Sequence, residues 1–307
     1  MFELIFLGTS ASAPSVHRNL PAQVVIHNEH RFLVDCGEGT QRQILTSGIG
    51  FKRLNRILVT HSHLDHILGI AGLVSTYSRW ETLEEIFIYG GEASLERVQT
   101  LLFDVVLRGA TPPIPIEFIP VKPGIFFETE DFSISAFPVI HRGPDCLGYI
   151  FEEKGRRPFL PEKAEELNIP PGPWRRELVN GQAVNLPDGR LILPDMVLGE
   201  YRAGAKLVIT GDVGVPGSLL PYCLRADALV IESTYLEEER EMAQHFGHLT
   251  ARMAAELAAQ AEVKTLFLTH VSRRYREKDI LKEAEEIFPG AMVARDLDTY
   301  QIKSERG

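Results

Sequence analysis

The chain is short of positive charge. Its 307 residues carry 32 lysines and arginines against 42 aspartates and glutamates, for a formal net charge of −10. A nucleic-acid partner ordinarily calls for a basic footprint, so bulk charge cannot recruit one here. Local basic clusters and metal ions would have to do it. Cysteine is scarce too. Cys36, Cys146 and Cys223 are odd in number, widely spaced and form no CxxC pair. That excludes a disulfide framework, leaves no disulfide partner, and fits a reducing cytoplasm; each cysteine reads as a small buried apolar residue. No apolar run approaches the roughly 20 residues of a membrane span, so no membrane partner is expected. Met1-Phe2-Glu3-Leu4-Ile5 has no basic region ahead of its apolar residues, so no secretory signal is read there.

What is present is 44% hydrophobic residues, ordinary for a globular enzyme, in a chain long enough to bury a substantial core. Against that background one stretch stands out. Only ten histidines occur in the chain, and three of them fall within Thr60-His61-Ser62-His63-Leu64-Asp65-His66. Imidazole nitrogen and carboxylate oxygen are first-choice zinc ligands. In extended chain His61 and His63 project to the same side and can share one ion. Asp65 and His66 follow where Ile67-Leu68-Gly69-Ile70 begins a helical pattern, and can aim at a second.

Apolar-rich runs bounded by turn residues predict strands at Phe2–Leu7, Gln23–His27, Arg31–Val34, Asn55–Val59, Glu85–Tyr89, Ile116–Pro120, Gly124–Glu128, Phe132–Val139 and Gly148–Glu152. Helical spacing predicts helices at Thr40–Ser47, Ile67–Tyr77 and Glu92–Leu107, the last with Leu95, Val98, Leu102 and Val105 on one face. Strands return at Lys206–Thr210, Ala228–Glu232, Thr265–Thr269 and Ala291–Ala294, with helices at Thr250–Ala261 and Glu277–Phe288. Together these predict two mixed sheets packed face to face with helices outside. The two strand-rich halves suggest a duplication, but no sequence repeat supports it. Residues 154–200 break the pattern with seven prolines, Trp174 and the pairs Arg156-Arg157 and Arg175-Arg176. This segment reads as a projecting insertion whose only helix is Pro161–Leu167.

Further metal-ligating types sit at predicted strand ends, where a rigid frame can hold loops in place. His141 follows Phe132–Val139, Asp212 follows Lys206–Thr210, and His270 follows Thr265–Thr269. With the first cluster they supply seven ligands, enough for two ions that share a carboxylate. A structural zinc site closes with four, which argues against a non-catalytic RNA-binding protein with a structural metal.

The order HxHxDH and then a distant His, Asp and His resembles the metallo-β-lactamase superfamily. Within it the chain resembles the tRNase Z family of tRNA 3′-processing endonucleases over nearly its full length. The residues carrying that likeness are Gly8-Thr9-Ser10, Asp35-Cys36-Gly37-Glu38-Gly39-Thr40-Gln41, Pro170-Pro171-Gly172-Pro173, Gly211-Asp212, Phe246-Gly247-His248-Leu249-Thr250 and Thr269-His270-Val271-Ser272-Arg273-Arg274-Tyr275. The family's PxKxRN loop is met by Pro14 to Asn19 with Val16 in the lysine position, and Leu64 stands where glycine is common.

The resemblance implies an α/β fold: a single αββα sandwich over residues 1–307, with a flexible-arm insertion at about 154–200. It implies two Zn2+ per subunit, manganese and iron being alternative loadings. His61, His63 and His141 would hold one ion, Asp65, His66 and His270 the other, and Asp212 would bridge. Asp65 is then the natural acceptor for the attacking water's proton, and His248 would protonate the leaving ribose oxygen. Glu232 is expected to orient His248, and Asp35 to hold a ligand histidine. The implied substrate is precursor tRNA, gripped by the arm of one subunit of a homodimer and cut in the other. Arg18, Arg156, Arg157, Trp174, Arg175, Arg176, Arg273 and Arg274 are the expected RNA contacts. Residues 141 to 190 hold 8 Lys+Arg and 8 Asp+Glu, so clustering and not net charge would do the binding. The alternative is a sister hydrolase acting on a small phosphodiester, cyclic nucleotide or sulfate ester, for which the arm has no evident use.

Overall fold

The computed structural model describes residues 1–80, 83–112 and 114–304. Its strands, in chain order, are β1 (Phe2–Gly8), β2 (Ala22–His27), β3 (His30–Val34), β4 (Arg56–Leu58), β5 (Ile86–Gly90), β6 (Ile116–Pro120), β7 (Gly124–Glu128), β8 (Phe132–Pro138), β9 (Leu147–Glu153), β10 (Val184–Asn185), β11 (Leu191–Ile192), β12 (Lys206–Ile209), β13 (Ala228–Glu232), β14 (Thr265–Thr269), β15 (Met292–Val293) and β16 (Thr299–Ile302). They build two seven-stranded sheets, ordered β16-β1-β2-β3-β4-β5-β6 and β7-β8-β9-β12-β13-β14-β15. In each sheet three antiparallel pairings are followed by three parallel ones. The halves therefore repeat one topology that their sequences do not show. In that repeat β3 corresponds to β12, so Asp35 and Asp212 leave equivalent strand ends.

Each sheet is covered on both faces, which is why its strands read as nearly continuous apolar runs. Phe2, Leu4 and Phe6 of β1 meet Phe132, Ile134 and Phe151 of the other sheet in the central layer. The alternate residues Ile5 and Leu7 pack outward with Ile67, Ile70 and Leu73. The outer helices are α1 (Thr40–Ser47), α2 (Leu64–Trp80) and α3 (Glu92–Gln99) on the first sheet. On the second side, after α4 (Pro161–Glu166), α5 (Pro173–Val179), α6 (Leu220–Cys223) and α7 (Arg240–Phe246), come α8 (Ala251–Gln260) and α9 (Glu277–Glu285). Thr250 caps α8, its hydroxyl accepting the Met253 amide at 3.1 Å.

Three expectations change. The single helix over Glu92–Leu107 is regular only to Gln99, and Thr100–Val106 winds as a π-helix. The wider turn rotates Val105 out of the apolar face, so it is 63% exposed while Leu95, Val98 and Leu102 are buried. β16, absent from the sequence reading, pairs with the edge of β1 from nearly the far end of the chain. The insertion holds a second helix, α5, which starts at Pro173. There proline serves as a first-turn residue and not as a breaker.

That insertion has an apolar core of its own: Ala164, Ile169, Leu178, Val184, Leu186, Ile192 and Val197, with Phe159, Leu167 and Trp174 packed against it. It leaves β9 and returns to β12 through bridges Arg156↔Arg202 and Phe159↔Leu198. The root thus sits at the strand ends remote from the metal-ligating loops.

The first turn of α2 is bolted to the turn after β3. Cys36 N–H donates to His66 O, and Gly69 N–H donates to Cys36 O, both at 2.8 Å. A Cβ on Gly69 would lie 2.0 Å from Gly37 O. Alanine in mid-helix ordinarily gains about 1 kcal/mol over glycine, but overpacking against fixed backbone costs about 1–3 kcal/mol. Gly69→Ala is therefore expected to lower the thermal unfolding midpoint, as followed by circular dichroism. It should also loosen the site that this turn carries.

Candidate metal centre

The seven predicted ligands gather at one end of the sandwich. His61 and His63 come from the segment between β4 and α2, and Asp65 and His66 from the first turn of α2. His141, Asp212 and His270 follow β8, β12 and β14. One donor atom from each of His61, His63, His141 and Asp212 lies within 4.8 Å of the others, and the same holds for Asp65, His66 and His270. Asp212 stands between the groups. Its Oδ2 is 3.7 Å from His61 Nε2, 3.8 Å from His141 Nε2 and 3.5 Å from His270 Nε2, while Oδ1 is 3.4 Å from His66 Nε2. Asp65 Oδ2 lies 3.4 Å from His270 Nε2 and 3.9 Å from His66 Nε2.

These separations are long for hydrogen bonds. They match atoms sharing an ion, because tetrahedral ligands at zinc distances lie about 3.3 Å apart. The far side of four of the five rings supports that reading. His66 Nδ1–H donates to Asp35 Oδ2 at 2.8 Å, His141 Nδ1–H to Gly247 O at 2.7 Å, His61 Nδ1–H to Thr60 Oγ1 at 3.0 Å, and His270 Nδ1–H to Thr234 Oγ1 at 2.8 Å. Each bond fixes the tautomer and turns an Nε2 lone pair inward. His61 Nε2, His66 Nε2 and Asp212 Oδ1 are buried without a hydrogen-bond partner. A set of inward lone pairs and orphaned buried atoms is what a pair of divalent cations would satisfy, and the residues fit such a group.

The electrostatics agree. Burial and the neighbouring His66 push the His61 imidazole well below its ordinary pKa, keeping it neutral. Burial lowers His63 and His141 as well. His66 goes the other way: burial opposes its charge, but Asp212 and Asp35 outweigh it and raise the pKa well above normal. Acid surroundings that draw a proton to His66 also draw a metal cation, which displaces the proton. For Asp65 burial acts upward, yet the neighbouring His270 and His66 imidazoles hold it below the usual carboxylate range.

Asp35 and His270 have φ of 57° and 54°. Left-handed backbone at non-glycine residues is uncommon and strained, and tends to mark functional positions. Asp35 Oδ1 also accepts the Thr60 amide at 2.8 Å and the Thr60 hydroxyl bonds the same carboxylate, so one buried group orients both His66 and, through Thr60, His61.

Beside the seven lies His248, with Nδ1 3.0 Å from both oxygens of Glu232. Glu232 is fully buried and also accepts Val213 N–H at 2.6 Å, Leu249 N–H at 3.2 Å and the Thr234 hydroxyl. Thr234 thus links Glu232 to His270. Burial would lower the His248 pKa, but the Glu232 charge and hydrogen bond raise it to about 9. The carboxylate therefore favours the protonated ring, although one donor atom of His248 also lies within 4.8 Å of donor atoms on Asp212 and His270. Sequence reading missed Thr60, Thr234 and Ser12. The Ser12 amide donates to Asp65 Oδ2 at 2.9 Å, and nothing in local spacing announces that contact.

The predicted RNA contacts divide. The Arg18 guanidinium bonds Thr9 Oγ1 at 2.6 Å, Ala294 O at 2.5 Å and Glu277 at 3.0 Å, with 14% of its side chain exposed. It pins the loop of residues 11–19 to the body. Arg157 is spent on Gly199 O, Leu198 O and Asp195, Arg175 on Ile169 O, and Arg274 on Glu239. Trp174 packs against the arm's core. Arg156, Arg176 and Arg273 are exposed, and among the described residues their side chains have no hydrogen-bond or ion-pair partner.

Residues 2–154 match the family model of the anti-Pycsar protein Apyc1. In overall shape the chain is similar to the metallo-beta-lactamase fold protein YhfI from Bacillus subtilis, with a TM-score of 0.70 and 19% identity, covering 97% of this chain and 98% of that one. It is also similar to the short form of human tRNase Z, with a TM-score of 0.69 and 25% identity over 98% and 100% of the two chains. The ribonuclease Z of Bradyrhizobium diazoefficiens is 47% identical over 298 residues, which are 97% of this chain and 99% of that one. On that identity, over that length, the chain belongs to the ribonuclease Z family.

Proposed function

We propose that the chain removes the 3′ trailer from precursor tRNA by hydrolysing one phosphodiester, leaving a 3′-hydroxyl on the tRNA and a 5′-phosphate on the trailer. As a ribonuclease Z it is a hydrolytic endoribonuclease. The observation that carries the finer reading is the convergence of seven metal-ligating groups beside a histidine held protonated by Glu232. His61, His63 and His141 would hold one zinc and Asp65, His66 and His270 the other, with Asp212 shared between them and manganese or iron as alternative loadings. When bound, two such ions supply charge that activates water and neutralises the phosphate.

The chain's own residues do the remaining work. Asp65, anchored by the Ser12 amide, is ionised and accepts the proton of the attacking water. His248 delivers its proton to the departing 3′ oxygen. Glu232 keeps that proton in place, and Asp35 aligns His66. Arg156, Arg176 and Arg273 meet RNA phosphates. Residues 1–307 form one domain, and its inserted arm grips the tRNA body, one subunit of a cytoplasmic homodimer holding RNA that is cut in its partner. Among the described residues no helix is long and apolar enough to cross a membrane.

The direct test is to incubate the zinc-loaded protein with a tRNA precursor bearing a 3′ trailer and map the ends. Cleavage after the last nucleotide of the tRNA body is expected. An uncut precursor, together with rapid turnover of a cyclic nucleotide or sulfate ester, would move the chain to the small-substrate hydrolases.

The arm gives a second prediction. Its core is separate from those of the sandwich, and its root closes at the bridge Arg156↔Arg202. Replacing residues 158–200 by a short linker should leave the body folded. Cleavage of precursor tRNA should then fall far more than hydrolysis of bis(p-nitrophenyl) phosphate. Equal losses on the two substrates would make the arm a folding element.

A further inference from the structure

One exposed aromatic side chain close in sequence to His248 has no part in the proposed chemistry. Phe246 ends α7 and is 40% exposed, an unusual state for a large ring beside a buried polar centre. Its position is rigid. Gly247 follows at φ 72° as the helix cap, and His248 N–H returns to Ala243 O at 2.8 Å. Gly247 O accepts His141 Nδ1–H at 2.7 Å, which ties the turn to the metal centre. The ring is backed as well: Arg142 Cζ lies 5.2 Å from its centroid, and the His245 ring stands edge-on at 4.9 Å. Arg142 donates to His245 O, and among the described residues no carboxylate pairs with it. Hence an exposed aromatic face and an uncompensated cation flank His248, two residues along a turn that spans at most about 7 Å.

We propose that Phe246 is the stacking platform for the nucleobase on the 5′ side of the cleaved bond, and so a determinant of where the chain cuts. This rests on the reading that His248 protonates the departing 3′ oxygen, because that oxygen belongs to the same nucleotide as the stacked base. Stacking on an aromatic face tolerates any base, which suits an enzyme that must accept many tRNAs. Arg142 holds the ring from behind and turns its charge toward the adjoining phosphate.

The test is a double-mutant cycle between ring and base. Wild-type and Phe246→Ala enzymes are each given precursor tRNA with either a normal or an abasic last retained nucleotide. Removing the base should lower wild-type kcat/KM by about 5- to 150-fold, and should lower that of Phe246→Ala by less than about twofold, with Phe246→Tyr behaving as wild type. In a parallel binding measurement, 2-aminopurine at that position should be quenched by wild type and Phe246→Tyr, and not by Phe246→Leu, which keeps the apolar bulk. Equal loss on base removal in wild type and Phe246→Ala, or quenching by Phe246→Leu, overturns the stacking while leaving the nuclease reading intact. A wild-type enzyme that cuts neither precursor overturns both.

Discussion

Asp65→Ala is expected to reduce kcat/KM on precursor tRNA by at least about 10⁴-fold. A positioned proton acceptor contributes about 10²–10⁴, and this carboxylate would also be one of four donors to the second ion, with His66, His270 and the shared Asp212, so metal retention should fall with activity. The fold should survive. Asp65 lies in the first turn of α2, where losing a carboxylate costs about 0.3–1 kcal/mol, and its removal relieves repulsion from Asp212. Asp65→Asn separates the two uses of the side chain. Its carbonyl oxygen can still accept the Ser12 amide, which the carboxylate now does at 2.9 Å, but its charge is gone. If Asn is as inactive as Ala and holds less zinc by elemental analysis, charge and ligation are the role. Restoration of cleavage by Asn would make Asp65 an anchor for the loop of residues 11–19 and nothing more.

The second large effect concerns His248. His248→Ala should lower kcat by about 10²–10⁴ with KM little changed, because the ring lies outside the seven-ligand set. Glu232 then makes the pH profile informative. His248 acts in its protonated form, and its pKa is raised to about 9 because the Glu232 charge and hydrogen bond outweigh burial. Activity that depends on it is complete below that value and is lost as pH rises through it; two bound cations would draw the limb lower. Removing the carboxylate charge leaves burial as the main influence, so Glu232→Gln should shift the alkaline limb of kcat to lower pH. The amide NH2 will also face one of the two backbone donors, Val213 N–H or Leu249 N–H, that now bond separate carboxylate oxygens, at a cost of about 1–3 kcal/mol, so folding must be checked by circular dichroism. A folded Glu232→Gln enzyme with an unmoved alkaline limb would separate Glu232 from the proton donor.

By itself the sequence determined the chemistry of the centre. HxHxDH is local: neighbouring residues on an extended segment and one helical turn have fixed relative directions, so residue types at that spacing already point to divalent-metal binding. The strands were legible for the same reason, since side chains alternate whatever lies around them. His141, Asp212 and His270 could be found as ligand types at strand ends, although only the packing of two sheets brings them to Asp65 and His66. Tertiary structure decided the rest. Arg18 and Glu277 are 259 positions apart, and no local pattern could reveal that they pair and anchor the loop of residues 11–19. Thr60 and Thr234 became relays only because Asp35 and Glu232 arrive beneath them. Val105 lost its place on the buried face because a helix widened by one residue per turn. β16 was invisible because a short edge strand exists only where β1 offers it an unpaired edge. Local spacing encodes direction within an element; which charges are free, and which hydroxyls point at a histidine, depends on partners that only the fold supplies.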